Sequence, residues 1–157
     1  MLCVAMSHTL ICTPRFARSF SCAWRAFFVD GWAGLGSDGS DENVLVTDET
    51  PHPLLFPRCA TIVHHGGAGT THTAARAGVP QVVIPHLLDQ FYWGHQLWLR
   101  GLAPKPMRKS WLSAKNFATA LRVATQDPHM AERAAETGVR LRRVDGVAVA
   151  MQDLLSP

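Results

Sequence analysis

The segment of this chain with the clearest chemical potential is a glycine-rich turn that follows a short apolar run. Residues 62–71 read Ile-Val-His-His-Gly-Gly-Ala-Gly-Thr-Thr, so a strand runs into three glycines and a helix begins near Thr70. Glycines let backbone N–H groups approach a ligand without a Cβ in the way. The N-terminus of a helix adds unpaired donors and about half a positive charge. With the threonine hydroxyls and the His64 imidazole, these are the parts of a diphosphate cradle.

The residues alone leave other interpretations of this turn open. It carries neither the Gly-Lys-Ser/Thr ending of a Walker loop nor the Gly-x-Gly-x-x-Gly spacing of a dinucleotide site. A purely structural turn is an equally good interpretation at this point. His64, His65 and His72 could suggest a metal, but no carboxylate lies beside them at ligand spacing. We therefore expect no metal site.

The elements around the turn predict the fold class. Short apolar runs predict strands, and segments with helical spacing or capping residues predict helices between and after them. The predicted strands are 27–29, 44–46, 61–63 and 82–84, and the predicted helices are 54–56, 70–77, 89–100, one after the N-cap Ser113, one from Pro128 to Val144 broken by Gly138, and 147–155. Strands that do not alternate are buried on both faces, which indicates an α/β, Rossmann-like open parallel sheet with helices on both faces. Such sheets bind ligands at the carboxyl ends of their strands.

Composition sets limits on the class of protein. The 157 residues are 47% hydrophobic and 17% charged, which suits one domain with its own core and excludes a disordered chain. A net charge of +3 is too small to indicate a nucleic-acid partner. The four cysteines form no Cys-x-x-Cys pair, so we expect reduced thiols rather than a zinc ribbon. No apolar run reaches the ~18 residues of a membrane span, and we expect a soluble, cytoplasmic protein.

The order and spacing of several motifs resemble one family. From Trp24 to Leu155 the chain resembles the C-terminal, donor-binding half of a GT-B glycosyltransferase, and within that group the sterol glucosyltransferases and the antibiotic and macrolide glycosyltransferases. The matching pieces are Gly-Trp-Ala-Gly-Leu at 31–35, Thr-Pro-His to Leu-Phe-Pro-Arg-Cys at 50–59, the turn at 64–71, Ala-Gly-Val-Pro-Gln at 77–81, and Pro85 with Asp-Gln-Phe-Tyr-Trp-Gly at 89–94.

The resemblance implies roles for particular residues. The donor diphosphate would be held by His64, Gly66, Gly67, Ala68, Gly69, Thr70 and Thr71. Asp89 and Gln90 would bind hydroxyls of the donor sugar, although Asp89 could equally cap a helix. Trp32 and His52 would line the nucleoside side of the site, with core packing of Trp32 and a backbone-bonded loop His52 as the alternatives.

The resemblance also implies what this chain does not supply. In such enzymes the acceptor pocket and the general-base histidine belong to an N-terminal domain, so none of the residues here is expected to be the catalytic base. Residues 26–157 would form the donor-binding domain, and residues 1–25 a divergent segment, a mis-joined start or a targeting peptide, that need not belong to the fold.

The implied function is inverting transfer of a hexose from a UDP- or TDP-sugar to a lipid, sterol or natural-product hydroxyl, with no metal or other cofactor. The acceptor-binding domain would be supplied in cis or in trans. The alternative is a non-catalytic nucleotide-sugar-binding subunit or module. We expect the chain alone to bind donor weakly and to transfer little sugar.

Overall fold

The computed structural model describes residues 51–156 in full and residues 9–13, 25–29 and 44–47 by their backbone. Within these ranges the chain forms five strands and six α-helices, joined in places by short 3₁₀ turns. The strands are β1 (Thr9–Thr13), β2 (Arg25–Val29), β3 (Val44–Thr47), β4 (Thr61–His64) and β5 (Gln81–Val83). The helices are α1 (His52–Leu55), α2 (Ala68–Ala77), α3 (Asp89–Leu99), α4 (Ala114–Gln126), α5 (Pro128–Arg142) and α6 (Gly146–Leu155).

The five strands form one sheet in the order β3-β2-β1-β4-β5. β2 pairs with β3, and β4 with β5, in parallel, whereas β1 runs antiparallel to both β2 and β4. The sequence predicts a sheet that is parallel throughout. The observed sheet is mixed, because its central strand β1 is antiparallel to both neighbours. Only residues 14–24 join β1 to β2, and a parallel crossover needs about a dozen residues or more.

The strand β1 lies in the segment 1–25, where the sequence predicts no element. Thr9 to Thr13 pair with Val29 to Arg25 on one side, and three of these residues pair with β4 on the other. This part of the segment therefore belongs to the sheet. The domain boundary near residue 26 stays a prediction.

The directions of the strands decide where a site can form. Because β1 opposes both neighbours, β2, β3, β4 and β5 all point the same way. Their carboxyl ends, at Val29, Thr47, His64 and Val83, share one edge of the sheet. This edge is where an α/β sheet receives its ligand.

Helices cover both faces of β4 and β5. One buried cluster joins alternate strand residues to α4 and the start of α5, and it consists of Val63, Val82, Ile84, Met107, Phe117, Ala124 and Met130. Two further clusters lie on the opposite face against α1, α2, α3 and α5, and they consist of Phe56, Ile62, Ala74 and Val79, and of Val83, Leu97, Leu102, Ala103 and Ala134. The predicted α/β architecture with helices on both faces of the sheet is confirmed for this pair of strands.

Local sequence signals explain most helix ends. Ser113 caps α4 by accepting a hydrogen bond from the Asn116 N–H at 3.2 Å, as predicted. Asp127 caps α5, which has Pro128 at its first position. Gly78 ends α2 in the left-handed conformation, with φ of 77°.

The predicted break at Gly138 is wrong, because α5 runs through that residue without interruption. Gly138 is buried where α5 crosses the end of α2. A Cβ built on it would lie 2.6 Å from the Cα of Gly78. The glycine therefore allows two backbones to approach each other and does not end the helix.

In the part of the chain that the structure describes, no helix combines the length and the apolar character that crossing a membrane requires.

Candidate functional site

The glycine-rich turn joins β4 to α2 at the carboxyl edge of the sheet. α2 begins at Ala68, two residues before the predicted start, and its N-cap Gly67 makes no side-chain capping bond. The first intrahelical bond runs from the Thr71 N–H to the Gly67 carbonyl, at 2.9 Å. The amides of Ala68, Gly69 and Thr70 precede that bond, so the helix itself gives them no acceptor. The start of α2 therefore offers the donor groups that a phosphate can use.

Two glycines of the turn have different roles. Gly66 has φ of +92°, and a Cβ on it would lie 2.8 Å from Cγ1 of Val83 and 2.9 Å from the Gln90 carbonyl. A glycine is required there because the turn packs directly on β5 and on the start of α3. Gly69 is exposed, and a Cβ on it would meet no atom of the described chain within 4 Å. The backbone at Gly69 is therefore open to a ligand.

Thr71, in the first turn of α2, has a buried hydroxyl group. The residue is 3% exposed, and its Oγ1 is buried with no hydrogen-bond partner among the described residues. Buried hydroxyls are normally paired. This oxygen is therefore a polar group in the first turn of α2 that no described residue satisfies.

The imidazole of His64 lies beneath the turn and not in it. His64 is 2% exposed, its Nδ1 accepts a hydrogen bond from the Gly66 N–H at 3.0 Å, and its Nε2 lies 2.7 Å from Oε1 of Gln81. Burial lowers the pKa of His64 from 6.5 to about 4, so the ring is neutral near pH 7. Both ring nitrogens have partners within the protein. The resemblance implies that His64 contacts the diphosphate. In this geometry neither ring nitrogen has an open N–H for that contact.

His65 belongs to the turn, but the sequence predicts no contact between it and the donor. It is half-buried, and its Nε2 would lie 2.4 Å from a Cβ on Gly67, so the ring packs against that glycine. Its Nδ1 is buried without a partner among the described residues. Burial lowers the pKa of His65, and nearby Asp89 partly opposes that shift. The sequence signal for His65 is the end of β4 at His64. His65 is the first residue after the strand and therefore lies at the carboxyl edge of the sheet.

The start of α3 brings Asp89 and Gln90 to the same edge. Asp89 is exposed and its Oδ2 accepts a hydrogen bond from Nε1 of Trp93 at 3.2 Å. It lies in the first turn and is not the N-cap, which is Leu88. Oε1 of Gln90 accepts the N–H groups of His86 and Leu87, at 2.8 and 3.1 Å. The Gln90 side chain therefore holds the loop before α3 in place. Its oxygen accepts both bonds, and its amide nitrogen takes part in neither.

The loop before α3 is held in an unusual backbone conformation. Leu88 has φ of 50° and ψ of −127°, the one positive φ that a non-glycine residue adopts in the part of the chain described. Such backbone is normally taken by glycine, and strain of this kind is concentrated at functional sites. The side chain of Leu88 is 83% exposed, so packing of that side chain does not explain why a leucine occupies this position.

His52 is the predicted nucleoside-side residue that the structure describes. It begins α1, is half-buried, and stacks on Phe56 with ring centroids 4.6 Å apart. Burial lowers the pKa of His52, and the proximity of His52 contributes to the lowered pKa of His64. His52 is therefore brought to the same edge as the turn. Trp32 lies outside the described residues.

Within residues 51–156 and the three described strands, no group of three or more histidine, cysteine, aspartate or glutamate side chains could hold a metal ion.

Comparison with known proteins identifies the family to which this fold belongs. Residues 37–142 match the model of the erythromycin biosynthesis protein CIII-like C-terminal domain. Over 123 residues, covering 77% of this chain, the sequence is 41% identical to the sterol 3-beta-glucosyltransferase UGT80B1 of Arabidopsis thaliana. Over 136 residues, covering 83% of this chain, it is 39% identical to the vancomycin aglycone glucosyltransferase of Amycolatopsis orientalis.

Solved structures support the same relationship. The glycosyltransferase VinC in complex with DTDP matches with a TM-score of 0.67 and 29% identity, over 75% of this chain. The chain spans 20% of the length of the Arabidopsis relative, 31% of the Amycolatopsis relative and 30% of VinC. It thus corresponds to about a fifth to a third of each protein. This chain belongs to the erythromycin biosynthesis protein CIII-like C-terminal domain family, the donor-binding half of the GT-B glycosyltransferases.

Proposed function

We propose that the chain binds the nucleoside diphosphate of a sugar donor at the carboxyl edge of its sheet. The observation that carries the proposal is the uncapped N-terminus of α2, where the amides of Ala68, Gly69 and Thr70 precede the first intrahelical bond. The positive end of a helix stabilises negative charge, and a diphosphate supplies that charge together with acceptor oxygens. The open surface at Gly69 supports the same placement.

The donor sugar would lie towards the start of α3. Asp89 presents an exposed carboxylate, and an ionised carboxylate accepts hydrogen bonds from hydroxyls. The start of α3 lies against the turn, since a Cβ on Gly66 would lie 2.9 Å from the Gln90 carbonyl oxygen, which supports a sugar site beside the diphosphate. Gln90 would contribute its amide nitrogen, since its oxygen is bonded to the loop before α3. The nucleoside would lie on the side of His52, with Trp32 as the further candidate.

For the whole protein we propose inverting transfer of a hexose. A base deprotonates the acceptor hydroxyl, the new bond forms at the anomeric carbon, and the bond from that carbon to the diphosphate oxygen breaks as the nucleoside diphosphate departs. The base and the acceptor site would lie in another domain, on the same polypeptide or a second one. This chain would stabilise the charge that develops on the diphosphate through preorganised N–H groups, without a metal.

The relatives indicate which substrates to test. The Arabidopsis relative is named a sterol 3-beta-glucosyltransferase and the Amycolatopsis relative a vancomycin aglycone glucosyltransferase. We therefore propose a glucose-like donor and a lipid, sterol or natural-product hydroxyl as acceptor. Because the structure of VinC is described with DTDP, thymidine and uridine diphosphates are both needed as probes.

The test is a titration of the 157-residue chain with UDP, TDP, UDP-glucose and free glucose, in which thermal shift and calorimetry measure binding. A ligand that binds only the folded state at a hundredfold excess over Kd adds ~2.7 kcal/mol of stability. We expect a shift with the nucleotides and none with glucose. A cooperative unfolding transition that no nucleotide moves would contradict the proposal.

A matched pair of glycine variants localises the binding. A Cβ on Gly69 meets no described atom within 4 Å, so Gly69→Ala should fold normally, yet its methyl group would occupy space that the diphosphate needs. We expect UDP or TDP affinity to fall by about tenfold or more, a loss of ~1.4 kcal/mol. Gly146 is equally open and begins α6, so Gly146→Ala is the control and should leave nucleotide affinity unchanged. Wild-type affinity in Gly69→Ala would place the diphosphate elsewhere.

A further inference from the structure

A short, buried polar contact joins two neighbouring strands beneath the glycine turn. His64 ends β4 and is 2% exposed, and Gln81 begins β5 and is fully buried. The register pairs His64 with Val83 and Ile62 with Gln81, so both polar side chains lie on one face of the sheet. Nε2 of His64 and Oε1 of Gln81 are 2.7 Å apart.

The positions of the protons in this contact follow from the Gly66 amide. The Gly66 N–H donates to Nδ1 of His64 at 3.0 Å, so Nδ1 carries no proton. A neutral imidazole has one N–H, which must then be on Nε2. Nε2 donates, and Gln81 must present its oxygen and not its nitrogen. The side-chain nitrogen of Gln81 is left buried without a partner among the described residues.

That unpartnered nitrogen indicates that packing alone does not explain the pair. A buried unsatisfied donor costs roughly 1–3 kcal/mol, whereas two apolar side chains of similar shape would avoid the cost. What the pair provides in return is a fixed acceptor under Gly66, whose backbone has φ of +92° and touches Val83 and Gln90. The conformation of the turn thus depends on the orientation of one imidazole.

We propose that His64 is a positioning residue, which holds the glycine turn through the Gly66 amide in a tautomer set by Gln81, and that it is not a ligand of the diphosphate. The inference rests on the proposed function, because it concerns the site that would receive the diphosphate. The amides of Ala68, Gly69 and Thr70, which precede the first intrahelical bond, would then contact that ligand.

Two variants of similar size separate positioning from direct contact. Asparagine at position 64 can place its side-chain oxygen near the position of Nδ1 and still accept from Gly66. Glutamine reaches towards the position of Nε2 and can meet Gln81, but it leaves the Gly66 amide without an acceptor. If His64 positions the turn, His64→Asn should keep UDP or TDP affinity within about threefold of wild type, and His64→Gln should lose about tenfold or more.

Tighter binding of UDP or TDP by His64→Gln than by His64→Asn would overturn the inference. If Nε2 of His64 donated to the diphosphate, the amide nitrogen of His64→Gln would restore that bond, and His64→Asn would be the weaker binder. Equal losses in the two variants, or wild-type affinity in both, would also overturn it, because neither result depends on the Gly66 bond. Thermal unfolding midpoints of the two variants control for loss of fold.

A second measurement decides the inference without any nucleotide. In the ¹⁵N NMR spectrum of the folded 157-residue chain, His64 should show a protonated Nε2 and an unprotonated Nδ1 from pH 8 to pH 5. The Gly66 amide proton should shift in His64→Gln and stay near its wild-type position in His64→Asn. A proton on Nδ1 would overturn the inference. If no nucleotide binds, the proposed function fails, and these spectra still decide the role of His64.

Discussion

Gly138 in α5 packs on Gly78, the residue that ends α2, so closely that a Cβ on Gly138 would lie 2.6 Å from the Cα and 2.8 Å from the nitrogen of Gly78. α2 carries the glycine turn at its other end. The contact therefore sets how the helix that presents the turn lies against the body of the domain.

Replacing Gly138 with alanine should destabilise the fold. The added methyl group meets backbone that cannot rotate away, and overpacking of this kind costs about 1–3 kcal/mol. Urea unfolding should show a lower midpoint with an unchanged m-value. Gly146→Ala is the control, since a Cβ there meets no described atom within 4 Å, and it should unfold at or above the wild-type midpoint. A Gly138→Ala variant as stable as wild type would show that α2 and α5 can move apart freely.

Replacing Leu88 with glycine should stabilise the fold. Leu88 has φ of 50° and ψ of −127°, which costs a residue with a Cβ of order 1–3 kcal/mol. Glycine removes that strain but loses more conformational entropy on folding, so we expect a net gain of roughly 1 kcal/mol. Chemical unfolding measures the gain. Leu87→Gly is the control and should lose stability, because Leu87 does not have a positive φ. A loss in both variants would refute strain at Leu88.

The stability of the domain should fall in acid, partly because of His64. Its pKa is about 4 in the folded state and 6.5 when unperturbed. Between these values the unfolded chain binds a proton that the folded chain does not, so stability falls as the pH is lowered through 6.5 towards 4. For this group the loss between pH 7 and pH 5 is on the order of 2 kcal/mol.

His64→Asn isolates that contribution, because asparagine does not titrate. Urea unfolding at pH 7, 6 and 5 should give the variant a smaller loss of stability than wild type. The remaining loss would come in part from His52, His65 and His86, whose pKa values burial also lowers. Parallel curves for the variant and wild type would mean that His64 titrates normally in the folded chain.

Arg76 and Arg142 should stabilise the fold as a pair, because each binds the helix end of the other. Nη1 of Arg76 donates to the carbonyls of Leu141 and Val144, at 2.7 and 3.3 Å, and Nη1 of Arg142 donates to the carbonyl of Arg76. Cations at a helix C-terminus satisfy open carbonyls and oppose the helix dipole. We expect Arg76→Met and Arg142→Met each to cost about 1 kcal/mol. In a double-mutant cycle the loss of stability in the double variant should differ from the sum of the two single losses. Additive losses would show that the two contacts are independent.

Local sequence determined most elements of this domain and indicated where its candidate site lies. The runs at Phe27, Val44, Thr61 and Val82 predict strands within a residue or two of those observed, because a strand needs only a short apolar segment with suitable residues. Ser113 and Gly78 cap helices where they are predicted to, since a cap depends on neighbours two to four residues away. The glycine spacing after β4 is likewise a local signal, and it identified the turn.

Long-range packing decided what the residue types left open. The direction of β1 depends on which strands lie beside it in space, and nothing within Thr9–Thr13 encodes that. A glycine is needed inside α5 at Gly138 because Gly78, 60 positions away in the chain, packs against it. The different surroundings of His64 and His65 could not be predicted from adjacent identical residues. Gln81 on the next strand is a partner for the His64 imidazole, whereas Nδ1 of His65 is buried with no partner among the described residues.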